Sequence, residues 1–489
     1  MIPFGQYAPD QPILGSEFAS IAKNVVPVTA RSYGPLNDLA VFSSALTARC
    51  QGAIAGKDTT GAVHQFAGDA TKLYKISSSS WSDVSGAAYN ISPEEFWEFI
   101  QFGLYIIATN VNNPVQSYLL GTSATFADLS TGAPQAKHIA KVDPGFVMLG
   151  NTLAASNRVH WGAIEDPTSW PTLGTAAAAA AQSDSRDLQS GGAVQRIIGA
   201  VGGSDGMVFM ETAVYRADYV GSPAVFNFHE IERGRGVDAP QSIVNVGPYA
   251  LYLGVDGFMK TDGAVAVSIG HQRVDETFLA DVDNDYINRV VGCLDPVSKL
   301  VFWIYPSTAT GVGVCDKVII YNHVLDRWSH AELSTEYIYP ALSASYTLEN
   351  LDAISGSLDA LSPSLDHQAW AGGRGSFGVF DTTHKLSFFT GSPLAATIET
   401  GEFDSANQRI LVQGVRPLVN GGTITSAVGY RDTPQGTPTF TTATSAGSDG
   451  VCPQRIATRY AKARVSIAAG GTWTHAQGIE ALYRPEGRR

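Results

Sequence analysis

The sequence predicts an all-β fold, a β-propeller of six or seven blades, from three observations. First, between about Arg49 and Glu399 one pattern recurs: a strand, a small polar turn, then an aromatic residue. Leu73-Tyr74-Lys75-Ile76 leads through four serines to Trp81, and Tyr118-Leu119-Leu120 leads through Gly121–Thr125 to Phe126. Arg158–Trp161 leads to Trp170, Val214–Ala217 to Phe226, and Val318–Tyr321 to Trp328. Trp81, Phe126, Trp170 and Phe226 stand 45, 44 and 56 residues apart, a drifting period proper to propeller blades. Second, 50 glycines and only 16% charged residues suit short strands joined by tight turns. Third, 489 residues exceed one ordinary core, and a stack of blades escapes that limit because each blade buries its faces against its neighbours.

Residues 1–44 interrupt any long element with Pro3, Pro9, Pro12, Pro27 and Pro35. They read as an extended N-terminal arm that lies along the body or reaches a neighbouring subunit. Its apolar Tyr7, Phe18, Val25, Val26 and Tyr33 need burial. The body, 45–399, holds seven strand clusters, with Gly103, Gly145, Gly206 and Gly257 in hairpin-like positions. Two long loops are expected within it. The stretch 172–192 is rich in Ala, Ser, Gln and Asp. The stretch 347–368 repeats a Leu-Asp pair every seven residues, but Gly356 and Pro363 exclude a coiled coil. Asp275 to Val291 carries apolar residues near helical spacing and predicts a short amphipathic helix. From 400 to 489 the texture changes to longer mixed-face strands, read as a small, separate, sandwich-like C-terminal β domain.

Net charge is −13, from 32 Lys and Arg against 45 Asp and Glu. A chain of that sign does not grip phosphates broadly, which argues against sequence-specific DNA binding. The last 40 residues run the other way, with Arg455, Arg459, Lys462, Arg464, Arg484, Arg488 and Arg489. Cys50, Cys293, Cys315 and Cys452 are far apart and form no C-x-x-C, so buried free thiols are expected rather than a zinc ribbon. No secretory signal and no run of 18 apolar residues is present, so no membrane span is expected.

Candidate chemistry is thin. Gly202-Gly203-Ser204-Asp205-Gly206 fits G-x-S-x-G, yet a strand pattern follows where a nucleophile elbow needs a helix. Gly373–Gly378 fits G-x-G-x-x-G, again without a helix to present amides to a pyrophosphate. Asp281, Asp283 and Asp285 alternate as in a calcium loop, but Tyr286 replaces the turn glycine and Gly292 the final glutamate. The blade turns keep the aromatic of a sialidase Asp-box and lack its Asp-x-Gly. A glycosidase also needs two carboxylates at set separation, which the sequence does not place for Glu94, Glu211, Glu230 or Glu232. Catalytic, cofactor and metal residues are therefore read as none, with the three aspartates as a remote metal candidate. Trp81, Phe126, Trp170, Phe226 and Trp328 are the structural residues singled out, as blade-packing aromatics.

Several stretches carry a family resemblance. They are Pro9-Asp10-Gln11-Pro12, Ala22-Lys23-Asn24-Val25 with Pro27, Tyr33 and Pro35, and Asn157–Trp161 with Asp166–Trp170. The loop ending Ala369–Gly373 belongs with them, as do Gly470–Trp473 with Ala476–Gly478 and the closing Gly487–Arg489. In this order the chain resembles the tail hub or nozzle proteins of short-tailed bacteriophages, the packaged-DNA stabilisation and tail tubular B-type family. The resemblance implies a non-enzymatic virion subunit, assembled in the host cytoplasm, in a ring of six copies below the portal and adaptor. It also implies fibre or needle proteins as neighbours, and genome DNA passing through during ejection without sequence-specific contacts. From the residues alone, a host-attachment or carbohydrate-binding propeller and a cellular protein-binding scaffold stay open.

Overall fold

The computed structural model describes residues 1–15, 17–295, 297–342, 357, 375–404 and 408–487. Its described residues are overwhelmingly strands, in many small antiparallel sheets, an all-β and propeller-like arrangement.

Five meanders of four strands follow one another. The first sheet is Ala53–Lys57, Val63–Gly68, Leu73–Ser77 and Ser80–Asp83. The second is Glu98–Phe102, Tyr105–Asn110, Asn113–Leu119 and Ala127–Asp128. The third is Ala136–Val142, Phe146–Thr152, Ala155–Trp161 and Asp184–Asp187, and the fourth Val194–Ile198, Gly206–Met210, Ala213–Gly221 and Val225–Arg233. The fifth is Val244–Asn245, Ala250–Gly254, Gly257–Thr261 and Ala266–Ser268. A sixth set follows: Val291–Asp295, Leu300–Pro306, Cys315–Asn322 and the first half of the long strand Arg327–Leu342. The second half of that strand opens a seventh set by pairing with Gly375–Asp381, which pairs with Lys385–Phe388. The fourth strand of this set is Ala40–Ala45, from the other end of the chain. First strands of the first four sheets lie against each other in order, the 3₁₀ turn Pro240–Ser242 bridges the fourth to the fifth, and Arg327–Leu342 returns against Ala53–Lys57.

Packing explains the stacking. Each sheet is apolar on both faces, so its cores are shared with neighbours: Phe66, Tyr118 and Phe126 join the first and second sheets, and Phe146, Trp161 and Phe226 the third and fourth. Phe258, Trp303 and Trp328 join the fifth and sixth, with ring centroids 4.8–6.0 Å apart.

The N-terminal segment, expected as an extended arm along the body or towards a neighbouring subunit, is built of short strands. The described residues of 1–45 lie on the body and supply five strands, four of which pair with remote partners, while Val25–Thr29 pairs with its neighbour Ser32–Pro35. Ile2–Pro3 pairs with Ala476–Gly487, and Val25–Thr29 with Ser32–Pro35 extends the same sheet through Arg409–Val419 to Cys452–Thr458. Ile21–Lys23 inserts between Ala396–Glu399 and Arg327–Leu342 in a second sheet that continues through Tyr460–Ile467 to Ile424–Arg431. The prolines permit this: Pro3 lies on the two-residue strand at the sheet margin and Pro35 ends its strand, where few ladder N–H groups are needed.

The described residues of 400–487 form, with the N-terminal strands, a sandwich-like pair of sheets that shares its core with the body. Phe4, Tyr33, Ile398, Val412, Val465 and Trp473 of the sandwich share one core with Phe258, Trp303 and Trp328 of the sheets. At the joint Arg327, buried, donates to Thr29 O (2.9 Å) and Gly5 O (2.8 Å) and lies over the Tyr33 ring. The Tyr33 hydroxyl donates to Gly5 O (2.9 Å) and accepts from Tyr7 N (3.0 Å).

The stretch 172–192 is not one exposed loop. It holds helix α1, Ala176–Ala181, capped by the Thr175 hydroxyl, and the outer strand of the third sheet. An outer strand with an open edge needs no apolar alternation, and alanine is the best helix former. The 347–368 loop falls, apart from Ser357, outside the described residues, as do Ala369–Gly373. The amphipathic stretch forms helix α2, Asp275–Asp281, followed by a 3₁₀ turn, Asn284–Arg289. Helix α2 has no local side-chain cap. Asp10 supplies one from 267 residues away, accepting from Glu276 N and Thr277 N at 2.9 Å each.

Trp328 is fully buried among Phe258, Trp303 and Tyr321. Trp328→Ala is expected to lower unfolding free energy by about 3–5 kcal/mol in urea titration. Asp10→Ala should cost about 1 kcal/mol through the lost cap.

Candidate functional site

The first strands of the sheets converge on an axial cavity of about 430 Å³. Its walls include Ile54 of the first sheet, Phe99 of the second, Arg196 of the fourth, Leu294 of the sixth and Tyr337 of the seventh. Lining by side chains from so many sheets makes it the place where the architecture concentrates chemistry.

One buried carboxylate organises that place. Glu98, on the first strand of the second sheet, accepts from His138 Nδ1 (2.7 Å) and Ile139 N (3.0 Å) of the third. It also meets Arg196 Nη1 of the fourth at 2.9 Å and accepts from Gln241 Nε2 at 3.2 Å, from the 3₁₀ turn Pro240–Ser242 before the fifth. Burial pushes the Glu98 carboxyl up, but Arg196 and His138 outweigh it and hold the group at about 2. Burial pushes the His138 imidazole down against the pull of Glu98, so it is neutral with its proton on Nδ1. The ion pair is therefore Glu98–Arg196, and His138 is a neutral donor.

Four and three residues before Glu98, Glu94 is held by Arg289 from Nε and Nη2, and Glu95 receives Asn112 at 3.3 Å with Lys137 at 4.0 Å. Each of these carboxylates is engaged by cations or amide donors. Chemically the arrangement ties four consecutive sheets through one anion, and Glu98 so held cannot act as a general acid near neutral pH.

The aromatics singled out in the sequence are dispersed around the sheets. Trp81 lies half-buried on the outer strand of the first sheet, its Nε1 donating to Ser43 Oγ at 2.9 Å. Phe126 is buried just before the outer strand of the second, and Phe226 on that of the fourth. Trp328 is buried on the fourth strand of the sixth set. Trp170 differs: it is buried beside His160 but precedes α1, off the outer strand, with Nε1 donating to Pro167 O at 2.8 Å.

Asp281, Asp283 and Asp285 are not brought together as a ligand set. Asp281 receives Lys317 Nζ at 2.7 Å and the Tyr305 hydroxyl at 2.9 Å, whereas Asp283 caps the 3₁₀ turn. Among the described residues no group of three or more His, Cys, Asp or Glu is placed to hold a metal ion. In the G-x-S-x-G stretch, Gly202 and Gly203 adopt positive φ and the buried Ser204 hydroxyl donates to Val201 O at 2.7 Å, closing a hairpin turn. Gly373 and Arg374 lie outside the described residues, and Gly375–Asp381 is a strand. All four cysteines are free and buried, and burial raises the Cys315 thiol to about 12.

The Glu98 group has no local motif. Its only trace in the sequence is an ionisable residue just before an apolar one on each first strand: Glu98-Phe99, His138-Ile139 and Arg196-Ile197.

No family model matches the chain, and no curated protein matches it. Among solved structures the chain is similar to the extracellular domain of BT4673 from B. thetaiotaomicron, at 10% identity and a TM-score of 0.39. That match covers 78% of this chain and 41% of the other, so the chain spans under half the length of that neighbour. Among the described residues no helix is long and apolar enough to cross a membrane.

Glu98→Gln should lower unfolding free energy by about 3 kcal/mol, because Arg196 loses its anion. Acid sensitivity follows from the depressed groups. His160 and His330 are pushed down to about 4 by burial, so the unfolded chain takes up their protons first. Stability should fall as pH drops from about 6.5 towards 4, and further from about 4.5 towards 2 as Glu98 is protonated. Urea midpoints between pH 7 and pH 3 measure this, and Glu98→Gln should flatten the lower part.

Proposed function

We propose that the chain is a structural subunit of a short-tailed phage tail, the hub or nozzle that retains packaged DNA and conducts it during ejection. The fold reading that goes with it is a seven-bladed β-propeller. Its last blade is completed by Ala40–Ala45, and a sandwich is built from both chain ends.

One observation carries the proposal: the residues of the family resemblance sit at joints. Asp10 caps α2. Asn24, at a φ of 56° that asparagine tolerates, donates from Nδ2 to Ala395 O (2.9 Å) and accepts from Glu332 N (3.0 Å), clasping the strands on either side. Pro27 O accepts from Asn322 Nδ2 at 3.0 Å, tying the N-terminal segment to the sixth sheet. Tyr33 closes on Gly5 and Arg327. Trp161 Nε1 donates to Gln182 O at 2.9 Å, pinning the end of α1. Gly478 lies so close to Ile2 that a Cβ would come within 2.3 Å of Ile2 O. Residues that weld the two ends of a chain into its body suit a subunit that bears mechanical strain in an assembly. A pocket-centred protein would concentrate them around its ligand instead.

The net charge of −13 supports the DNA part of the reading. A basic wall would neutralise phosphates and hold the duplex, whereas an acidic wall repels it. Channel-facing side chains of the assembled ring should be mainly Asp, Glu, Ser, Thr, Asn and Gly, with at most isolated basic rings. Electron microscopy of particles carrying a labelled subunit, with duplex-binding assays at physiological salt, tests both parts. Absence from the tail, or sub-micromolar duplex binding by the purified chain, overturns the proposal. Saturable binding to a host glycan would favour an attachment role.

A further inference from the structure

The cavity between the first strands is apolar over most of its wall, through Ile54, Phe99, Ile243, Val291 and Leu294. Its polar groups gather around the buried carboxylate, and most of them are already engaged. Both Glu98 oxygens accept, from His138, Gln241 and Ile139 N, with Arg196 beside them. Asn245 is spent on main-chain groups, accepting from Gly247 N (2.8 Å) and donating to Ala200 O (3.0 Å).

Arg196 is different. It lines the cavity with 24% of its side chain exposed, and only its Nη1 is engaged, by Glu98 and by the Gln241 amide oxygen. Nε is buried without a hydrogen-bond partner, and Nη2 has none among the described residues. Nε and Nη2 form the edge of a guanidinium that meets a carboxylate through two parallel N–H bonds. A buried donor without a partner costs free energy, which an acceptor placed there recovers. Tyr337, on the first strand of the seventh set, lines the same cavity, and its hydroxyl has no hydrogen-bond partner among the described residues. Burial raises its phenol above the ordinary value, against the pull of the Arg196 guanidinium, so the hydroxyl keeps its proton and can donate.

We infer that this cavity binds a small monocarboxylate with an apolar body, its carboxylate on the free edge of Arg196 and its apolar part against the first strands. Three observations select that class. The unsatisfied charged edge is cationic and carries donors only, so it takes an acceptor and repels an amine. The wall beyond it is apolar and suits a ring or a branched chain, whereas the many polar groups of a sugar or a nucleotide would be left unpaired. The volume, about 430 Å³, is that of a small-molecule site. Glu98 assists without competing, because it holds Arg196 by Nη1 and so fixes the other edge before a ligand arrives. The walls come from several sheets, so an occupant bridges segments far apart in sequence and stabilises the folded chain. The inference goes beyond the tail reading and does not rest on it, and either can fail alone.

The test titrates full-length protein with phenylacetate, phenylacetamide and phenethylamine, which share an aromatic body, by calorimetry and thermal shift. Wild type should bind phenylacetate saturably with a Kd on the order of 1 mM or tighter, the amide at least about tenfold more weakly, and the amine not at all. Tyr337→Phe removes a hydroxyl that has no partner, so the fold is kept, and it should weaken phenylacetate binding by about three- to tenfold. Arg196→Lys keeps a cation for Glu98 without the two-pronged edge, and should abolish the preference for the carboxylate over the amide. No saturable binding of phenylacetate by wild type up to about 10 mM overturns the inference. Amide or amine bound as tightly as phenylacetate overturns the ligand class. Phenylacetate binding unchanged in Tyr337→Phe, or a preference intact in Arg196→Lys, overturns the site.

Discussion

The pairing of Ala40–Ala45 with Lys385–Phe388 is the contact on which the rest of the structure depends. A four-stranded antiparallel sheet with two apolar faces is stable only between neighbours, so a row of such sheets is stable only if it has no ends. Here the last set borrows its outer strand from the beginning of the chain. The junction is anchored by Ser43, whose Oγ accepts from Leu386 N (3.0 Å) and from Trp81 Nε1 (2.9 Å). Bringing together residues some 340 positions apart costs little more than closing a shorter loop, because loop entropy grows only logarithmically. Three doublings beyond a 40-residue hairpin add about 2 kcal/mol. Burying Phe380, Leu386 and Phe388 returns about 1.5–3 kcal/mol for each side chain. Closure is thus favourable in energy. It is slow in principle, since these contacts form only when both ends of the chain are in place.

The sandwich extends the same logic. Its two sheets take strands from residues 2–35 and from 396–487, and its core runs without a break into the fifth and sixth sheets. Arg327 sits at that seam, with its guanidinium on Thr29 and Gly5 carbonyls and over Tyr33. A buried cation hydrogen-bonded to main-chain oxygens is costly to leave unpaired, which fixes the register of the N-terminal segment against the long strand.

What the sequence reveals of this fold is what local patterning controls. Strand clusters, hairpin glycines and the short helix after Asp275 are properties of a few adjacent residues, and they stand where alternation and turn chemistry put them. The N-terminal segment reads as an extended arm because its prolines forbid long elements; its short strands stay hidden because most of their partners lie hundreds of residues away. The outer strand Asp184–Asp187 was read as loop because one side of it meets solvent. Glu98, His138, Arg196 and Gln241 were invisible as a group, since each comes from a different repeat and only closure brings them within 2.7–3.2 Å. Trp170 kept the period and lost the position: an inserted helix separates it from its outer strand.

The same closure constrains any role in moving DNA. The cavity between the first strands holds about 430 Å³ and is lined by apolar side chains together with Glu98, Arg196, Gln241 and Asn245. A space of that size admits small molecules and water, not a nucleic-acid duplex. Widening it would mean separating first strands whose buried charge is stabilised only by its partners from adjacent sheets. On the hub reading, therefore, the path for DNA lies between subunits and not through any one of them.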